Sequence, residues 1–277
     1  MKKSVLFVLC LMVCVFGYGQ SHRGYVIMFN TPNGTVCFDT QSVVNIHIDA
    51  SGQTLIHSEG TEWTPLADMD TVSVVRSIDT ADWVDLGLPS GLLWATRNVG
   101  ANHLGDNGDY FAWAETQPKS VYDWSTYTYS CNGDNHSFTK YCRHPNYGCD
   151  GLTDTLTILQ HVDDAATASL GDGARMPTLE EWQELNNNCT SVWTTQYGVN
   201  GRLFIGSNGN TLFLPAAGWW SGNDLVFVGT DGEYWSSSLY VFYSDMAWYF
   251  DFNSAGSNTS HFNSRDWGRP IRAVKAN

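Results

Sequence analysis

The chain has 277 residues, with 28 Asp and Glu against 14 Lys and Arg and a formal net charge of −14 at pH 7. That imbalance excludes nucleic acid and anionic membrane surfaces as natural partners, since both repel a polyanion. With 12 Trp, 13 Tyr and 13 Phe beside so few basic residues, the composition suits an exported soluble protein.

Residues 1–19 read as a secretory leader. Lys2 and Lys3 form its charged start, and Val5 to Phe16 an apolar run too short to span a bilayer comfortably. Gly17 and Gly19 are the small residues before Gln20. A lipid anchor needs a small residue before its cysteine, and Leu9 precedes Cys10 while Val13 precedes Cys14, so lipidation is disfavoured. Removing the leader takes Lys2 and Lys3, leaving 12 basic against 28 acidic residues and a charge of −16. No later segment is apolar enough to span a membrane. The expected location is secreted or at the cell surface.

Residues 20–78 read as a small all-β module. Tyr25 to Phe29 and Thr35 to Phe38 flank the Pro32-Asn33-Gly34 turn, and Val44, Ile46 and Ile48 alternate with polar residues as a third strand. An echo follows 26 residues on, where Gly60-Thr61 repeats Gly34-Thr35 and Val72-Ser73-Val74 repeats Ile46-His47-Ile48. Two hairpin-plus-strand units in one sheet are expected, with His47 and His57 as surface strand residues. Arg76 to Asp82 is the linker.

The larger domain, 79–277, opens with Trp83 to Leu86, the Pro89-Ser90-Gly91 turn and a Leu92 to Ala95 strand. Asp106-Asn107-Gly108-Asp109 clusters oxygens as calcium prefers, but it lacks the length and closing glutamate of a known loop, and a turn is preferred. Residues 115–160 are irregular and hold Cys131, Cys142 and Cys149, where a local disulfide could pin a loop in an oxidising compartment. With Cys37 and Cys189 the mature count is five, so at least one thiol is unpaired within the chain. Zinc on Cys142, His144 and Cys149 would need an unusual Cys-x-His step and is not favoured. Asp163-Asp164-Ala165-Ala166 opens a short helix, its acids acting as a cap rather than as a catalytic pair.

The best-specified element is the helix that starts after Pro177. Thr178 and Glu181 stand at capping-box spacing, and Leu179, Trp182 and Leu185 recur on one apolar face. Glu180, Glu181 and Glu184 are expected to face water, and Asn186 to Asn188 to end the helix. Strands follow from Trp193 onward. Ser236 to Ser238 lacks a nucleophile elbow and is no hydrolase site.

In the last forty residues, Trp248, Phe250 and Phe252 alternate with Tyr249, Asp251 and Asn253, so the first three are expected in the core and the second three outward. With Tyr240, Phe242, Tyr243, Ser244 and Asp245 before them, and Ser257, Asn258, Ser260, His261, Asn263, Asp266 and Trp267 after, they read as a polar-aromatic surface. Tyr, Asn, Ser, Asp and Trp are the side chains of adaptable recognition. They also suit sugars, through ring stacking and hydroxyl contacts. The candidate ligand-binding residues are thus Tyr240, Tyr243, Asp245, Tyr249, Asp251, Asn253, Asn258, His261, Asn263, Asp266 and Trp267. The bland alternative is that large residues simply fill the fold.

Gly173 to Trp182 resembles the Gly-x-Arg-[Leu/Met]-Pro-Thr-x-x-Glu-Trp segment of the formylglycine-generating-enzyme branch of C-type-lectin-like folds. Val84 to Ala95, Gly108 to Trp113, Asp163 to Ala166, Phe213 to Gly218 and Tyr234 to Ser238 narrow the resemblance. Together they are similar to the Fibrobacter succinogenes major paralogous (FISUMP) domain family over roughly residues 82–274. The resemblance implies an α+β, C-type-lectin-like domain with mixed or antiparallel sheets and few helices, in an exported protein; it carries no agreed activity. The tail also resembles the variable regions that diversity-generating retroelements install in lectin-like domains, with Ser237, Ser238, Ala247, Trp248, Phe252, Arg265, Gly268 and Arg272 as the frame. Met246 departs from that pattern, since adenine-directed change of an asparagine codon does not give methionine.

Copper-dependent formylglycine chemistry needs a late cysteine pair, and no cysteine follows Cys189. Iron oxygenases of this fold need a histidine triad, and the histidines here stand singly. No catalysis, metal or cofactor is therefore expected. The expected function is recognition of a glycan or surface protein; the alternatives are a structural subunit, in a homo-oligomer or surface assembly, and a retroelement-diversified receptor.

Overall fold

The computed structural model describes the backbone of the strands within 26–75 and residues 83–277 apart from residue 172. The leader with its lipidation reading, the turn at 32–33, the echo at 60–61, the linker at 76–82 and the side chains of Cys37, His47 and His57 lie outside the described residues. The chain divides into two compact units, Met1–Thr80 and Ala81–Asn277. No helix among the described residues is long and apolar enough to cross a membrane.

In the first unit, strands β1 (Val26–Thr31), β2 (Gly34–Asp39), β3 (Val43–Ile48), β4 (Thr54–Ser58), β5 (Thr64–Leu66) and β6 (Thr71–Val75) make two antiparallel sheets. Their orders are β2-β1-β6 and β3-β4-β5. The single sheet expected from the sequence echo is therefore corrected. One edge of β1 pairs with β2 and the other with β6, in the register Ile27↔Val74 and Phe29↔Val72, so β3 has no edge of β1 to join.

The second unit is β-rich with few helices. Its first strands are β7 (Trp83–Asp85), β8 (Leu93–Asn98) and β9 (Tyr110–Phe111). Helices α1 (Ala165–Leu170) and α2 (Leu179–Asn188) come next. Then follow β10 (Thr190–Gln196), β11 (Val199–Ile205), β12 (Thr211–Pro215), β13 (Trp219–Ser221) and β14 (Asp224–Val226). The chain closes with β15 (Asp231–Leu239), β16 (Met246–Asn253), β17 (Ser257–Ser264), β18 (Arg269–Pro270) and β19 (Arg272–Lys275). Three-stranded antiparallel sheets run β19-β8-β7, β10-β11-β12 and β15-β16-β17, joined by the pairs β13-β14 and β18-β9. The final strand thus returns to pair with β8, and both ends of the unit share one sheet.

Helix α2 starts as its capping box dictates: the Thr178 hydroxyl accepts from the Glu181 amide, and the Glu181 carboxylate accepts from the Thr178 amide at 2.8 Å. Arg175 grips the same carboxylate through both terminal nitrogens, at 2.7 and 2.5 Å. Trp182 and Leu185 are buried, with the Trp182 ring stacked on Phe250 at 4.7 Å and against Trp94 at 4.8 Å. The three glutamates do not all face water. Glu184 accepts from the amide and hydroxyl of Ser90 at 2.7 and 2.6 Å, tying the Pro89-Ser90-Gly91 turn to the helix.

Replacing the cap oxygen, Thr178→Ala, is expected to cost about 1 kcal/mol of folding stability, with Thr178→Ser losing much less. Urea denaturation checks this; an unchanged midpoint in the alanine variant would show that the cap is energetically idle.

Candidate functional site

Strand β16 lies between β15 and β17, and its side chains alternate as the sequence pattern requires. Neither face is covered along its whole length, however. Phe250 and Phe252 lie under α2 in the cluster around Trp182, whereas Met246 and Trp248 on the same face are only half-buried. On the opposite face Ala247 and Tyr249 are buried against the cluster around Trp113 and Trp235, while Asp251 and Asn253 are left half-open. Two corrections follow. Trp248 is not an inward anchor, because α2 ends its cover before reaching it. Tyr249 is not an outward contact, because Trp235 and Arg269 close over it.

The open half of the first face is aromatic. Tyr240 and Phe262 stack with ring centres 3.6 Å apart and planes within 7°, and Trp248 meets both edge-on at 5.0 and 5.4 Å. Tyr243 and Phe242 flank Tyr240 at 5.9 and 5.6 Å. Phe242 is 68% and Tyr243 49% exposed. The turn that presents them is built beneath: the Tyr240 amide donates to Met246 O, and buried Ser244 takes Arg143 N on its hydroxyl and Arg265 on its carbonyl. Sequence reasoning selected Tyr240 and Tyr243 but passed over Phe262, and it noted Phe242 without choosing it. Phe262 joins the patch through the pairing Trp248↔Phe262, a register that local pattern does not encode.

The open half of the second face is polar. Glu233 pairs across the strands with Asp251, and Asp231 with Asn253. His261 Nδ1 lies 2.7 Å from Asp251 Oδ1, and Asn258 meets His261 Nε2 at 3.2 Å. Four selected residues, Asp251, Asn253, Asn258 and His261, therefore do come together. Beneath them the fully buried Arg269 guanidinium sits between the Trp235 and Tyr249 rings at 4.3 and 4.2 Å, and donates to Glu233 through Nε at 2.9 Å. Burial pushes the Glu233 and Asp251 carboxyls up, against the opposing pull of Arg269 on the one and of His261 on the other. Burial likewise raises the Tyr249 phenol to about 12.

The remaining selections are dispersed. Asp245 is buried, its carboxylate taking Asn135 at 3.3 Å and its carbonyl the Arg265 amide at 3.0 Å. Asp266 is buried with the Ser264 hydroxyl on its carboxylate. Both are structural and drop out as contact residues. Asn263 turns its carbonyl to the Ser264 amide at 2.8 Å, and half-buried Trp267 lies parallel to Trp219.

Among the cysteines, Cys131 and Cys149 are disulfide-bonded, and Cys142 is buried and free, its thiol directed at His144 O. Cys149 is thereby withdrawn from the zinc set considered for it. Among the described residues no group of three His, Cys, Asp or Glu is placed to hold a metal. Asp106 accepts from the His103 and Asn102 amides at 2.8 and 3.1 Å, as in a turn. Asp163 and Asp164 diverge: Asp164 caps α1 through Thr167 N, while Asp163 takes Lys140, Tyr129 and Tyr141.

Burial raises the Asp266 carboxyl from 3.8 to about 6. Between those values the folded chain keeps a proton that the unfolded chain has released. The stability this gives is complete below pH 3.8 and is lost as pH rises through about 6. Asp266→Asn should therefore gain on the wild type by about 2–3 kcal/mol between pH 4 and pH 7; parallel stability curves in urea would contradict this.

No family model, no curated protein and no solved structure matches the chain.

Proposed function

We propose that the chain is an exported, non-catalytic recognition protein whose larger unit is a C-type-lectin-like domain related to the FISUMP family. A glycan or a surface protein is its ligand. The observation that carries this is the aromatic half-face of the β15-β16-β17 sheet, where Tyr240, Phe242, Tyr243, Trp248 and Phe262 form one contiguous patch with Phe242 68% exposed. An aromatic patch of this kind, left open beside a well-filled core, marks an interaction surface rather than a packing surplus. The fold resemblance is supported by the β-rich architecture with few helices and by the order of its motifs.

A structural subunit would use the same patch against another chain, but the net charge of −16 left after the leader (12 basic against 28 acidic residues) opposes close association of identical copies. The paired variant Phe242→Ala/Tyr243→Ala separates the two readings. In the full mature chain it should keep its melting temperature and lose binding to glycan arrays or to whole cells by at least roughly tenfold. Undiminished binding would refute the surface. A stable homo-oligomer that the variant dissolves, with no ligand bound, would replace recognition by assembly.

A further inference from the structure

The outer edge of β17 adjoins both half-faces, and the register fixes where its backbone groups point. Met246 directs its carbonyl to the Tyr240 amide at 3.0 Å and its amide to Tyr243 O at 3.1 Å, both away from β17. The pair Met246↔Ser264 therefore carries no ladder bonds, and Ser264 O instead accepts from Trp267 N at 3.3 Å. Bonded and unbonded pairs alternate along an antiparallel ladder. Ala247↔Asn263 and Tyr249↔His261 are then the bonded pairs, and Trp248↔Phe262 is unbonded. Trp248 O agrees, since it takes the Ser236 hydroxyl at 2.9 Å on the β15 side. Phe262 consequently turns both its N–H and its C=O out from the sheet edge.

No strand among the described residues covers that edge, because β17 ends the order β15-β16-β17, and residues 260–262 are exposed. The amides on either side are taken locally: Ser260 N donates to Asn258 Oδ1 and Ser264 N to Asn263 Oδ1, each at 2.8 Å. Between them Phe262 holds out a donor and an acceptor side by side, next to the open aromatic half-face. Natural edges are commonly blunted by charged residues or proline. β17 carries no Lys, Arg, Asp, Glu or Pro.

From this edge we infer that an extended segment of a partner protein adds to β17 as a fourth, antiparallel strand. Phe262 N–H and C=O clamp it, its apolar side chains lie on the aromatic half-face, and its basic ones lie on the polar half-face. The inference rests on the recognition reading and names the partner for it. A donor and an acceptor on one residue at strand spacing match another main chain. Residues directly opposite across two strands point to the same face. The clamped residue thus sets its side chain beside Phe262, itself 36% exposed. Its two neighbours point to the other face, beside His261 and Asn263, with Asp251 and Glu233 on the next strands inward. Lys or Arg suits those two positions, given these carboxylates and a chain with 28 acidic against 14 basic residues. The same surplus disfavours a second copy of this chain as the occupant.

The probe is a fluorescent octapeptide alternating valine and lysine, titrated with the full mature chain and followed by anisotropy. In the added strand the valine amides face β17 and the lysine amides face away. N-methylation of every valine should therefore weaken binding at least roughly tenfold, and N-methylation of every lysine less than about twofold. The same peptide with glutamate for lysine should not bind. Residue-resolved amide exchange gives a second reading that leaves the chain unaltered. In the free chain the Phe262 amide should exchange fast and those of His261 and Asn263 slowly, and the lysine peptide should slow Phe262. Equal binding by both N-methylated peptides, binding of the glutamate peptide, or a Phe262 amide already slow in the free monomer would overturn the inference. A dimer of the chain alone with Phe262 protected would put a second copy on the edge and overturn it too. If no peptide binds while whole-cell binding is lost in Phe242→Ala/Tyr243→Ala, strand addition is wrong and the recognition reading stands.

Discussion

Three arginines in the last thirteen residues, Arg265, Arg269 and Arg272, have no exposed surface. A charge withdrawn from water is tolerated only when its surroundings replace that water. Arg265 is enclosed by Trp113, Tyr127, Phe138 and Tyr141 at 4.5–5.9 Å from their ring centres. Its nitrogens reach the Tyr127 hydroxyl and the carbonyls of Lys140, Tyr141 and Ser244. Arg272 binds Asn98 Oδ1 through two nitrogens at 3.0 and 2.8 Å and Ala95 O through the third, and burial lowers its pKa to about 10. Ring quadrupoles and carbonyl dipoles thus take the place of solvent.

Each arginine nails a different part of the tail to a different layer. Arg265 joins the turn before β16 to the loop that the Cys131–Cys149 disulfide closes. Arg269 holds β15 and β16 together through Glu233 and the Tyr249 ring. Arg272 draws β19 onto β8. With its lower side held this firmly, the β15-β16-β17 sheet needs no cover over its whole extent. Helix α2 shields one end of one face and the Trp113 cluster the opposite end of the other. Two patches stay open, one aromatic and one polar, on a backbone that is rigid beneath them. Pre-organised side chains lose little freedom on binding, which is what a recognition surface requires.

The legible parts of the sequence were those settled by near neighbours. Thr178 and Glu181 announced the helix cap, Trp182 and Leu185 its buried side, and the alternation in β16 is real. The errors all concern what lies above a residue. Period two separates Trp248 from Tyr249 but does not say which layer ends where, so alternation alone reads the tryptophan as inward and the tyrosine as outward. Glu184 looked like a solvated helix residue until the turn at Ser90 came to it across 94 positions. The pairing of β1 with β6 and the arginine boxes share that origin: each joins segments distant along the chain, where no local rule operates. Asp245 and Asp266 read from the sequence as polar contacts of the tail, and burial removes them for the same reason.

The diagonal cover of β16 is the claim on which the rest depends, and hydroxyl-radical footprinting with mass spectrometry reads it residue by residue on the intact chain. Phe242, Tyr243, Trp248 and Phe262 should be oxidised rapidly, with Tyr249, Phe250 and Phe252 protected. Fast modification of Tyr249 together with protection of Trp248 would mean that the strand is covered along one face only, and that both open patches are misplaced.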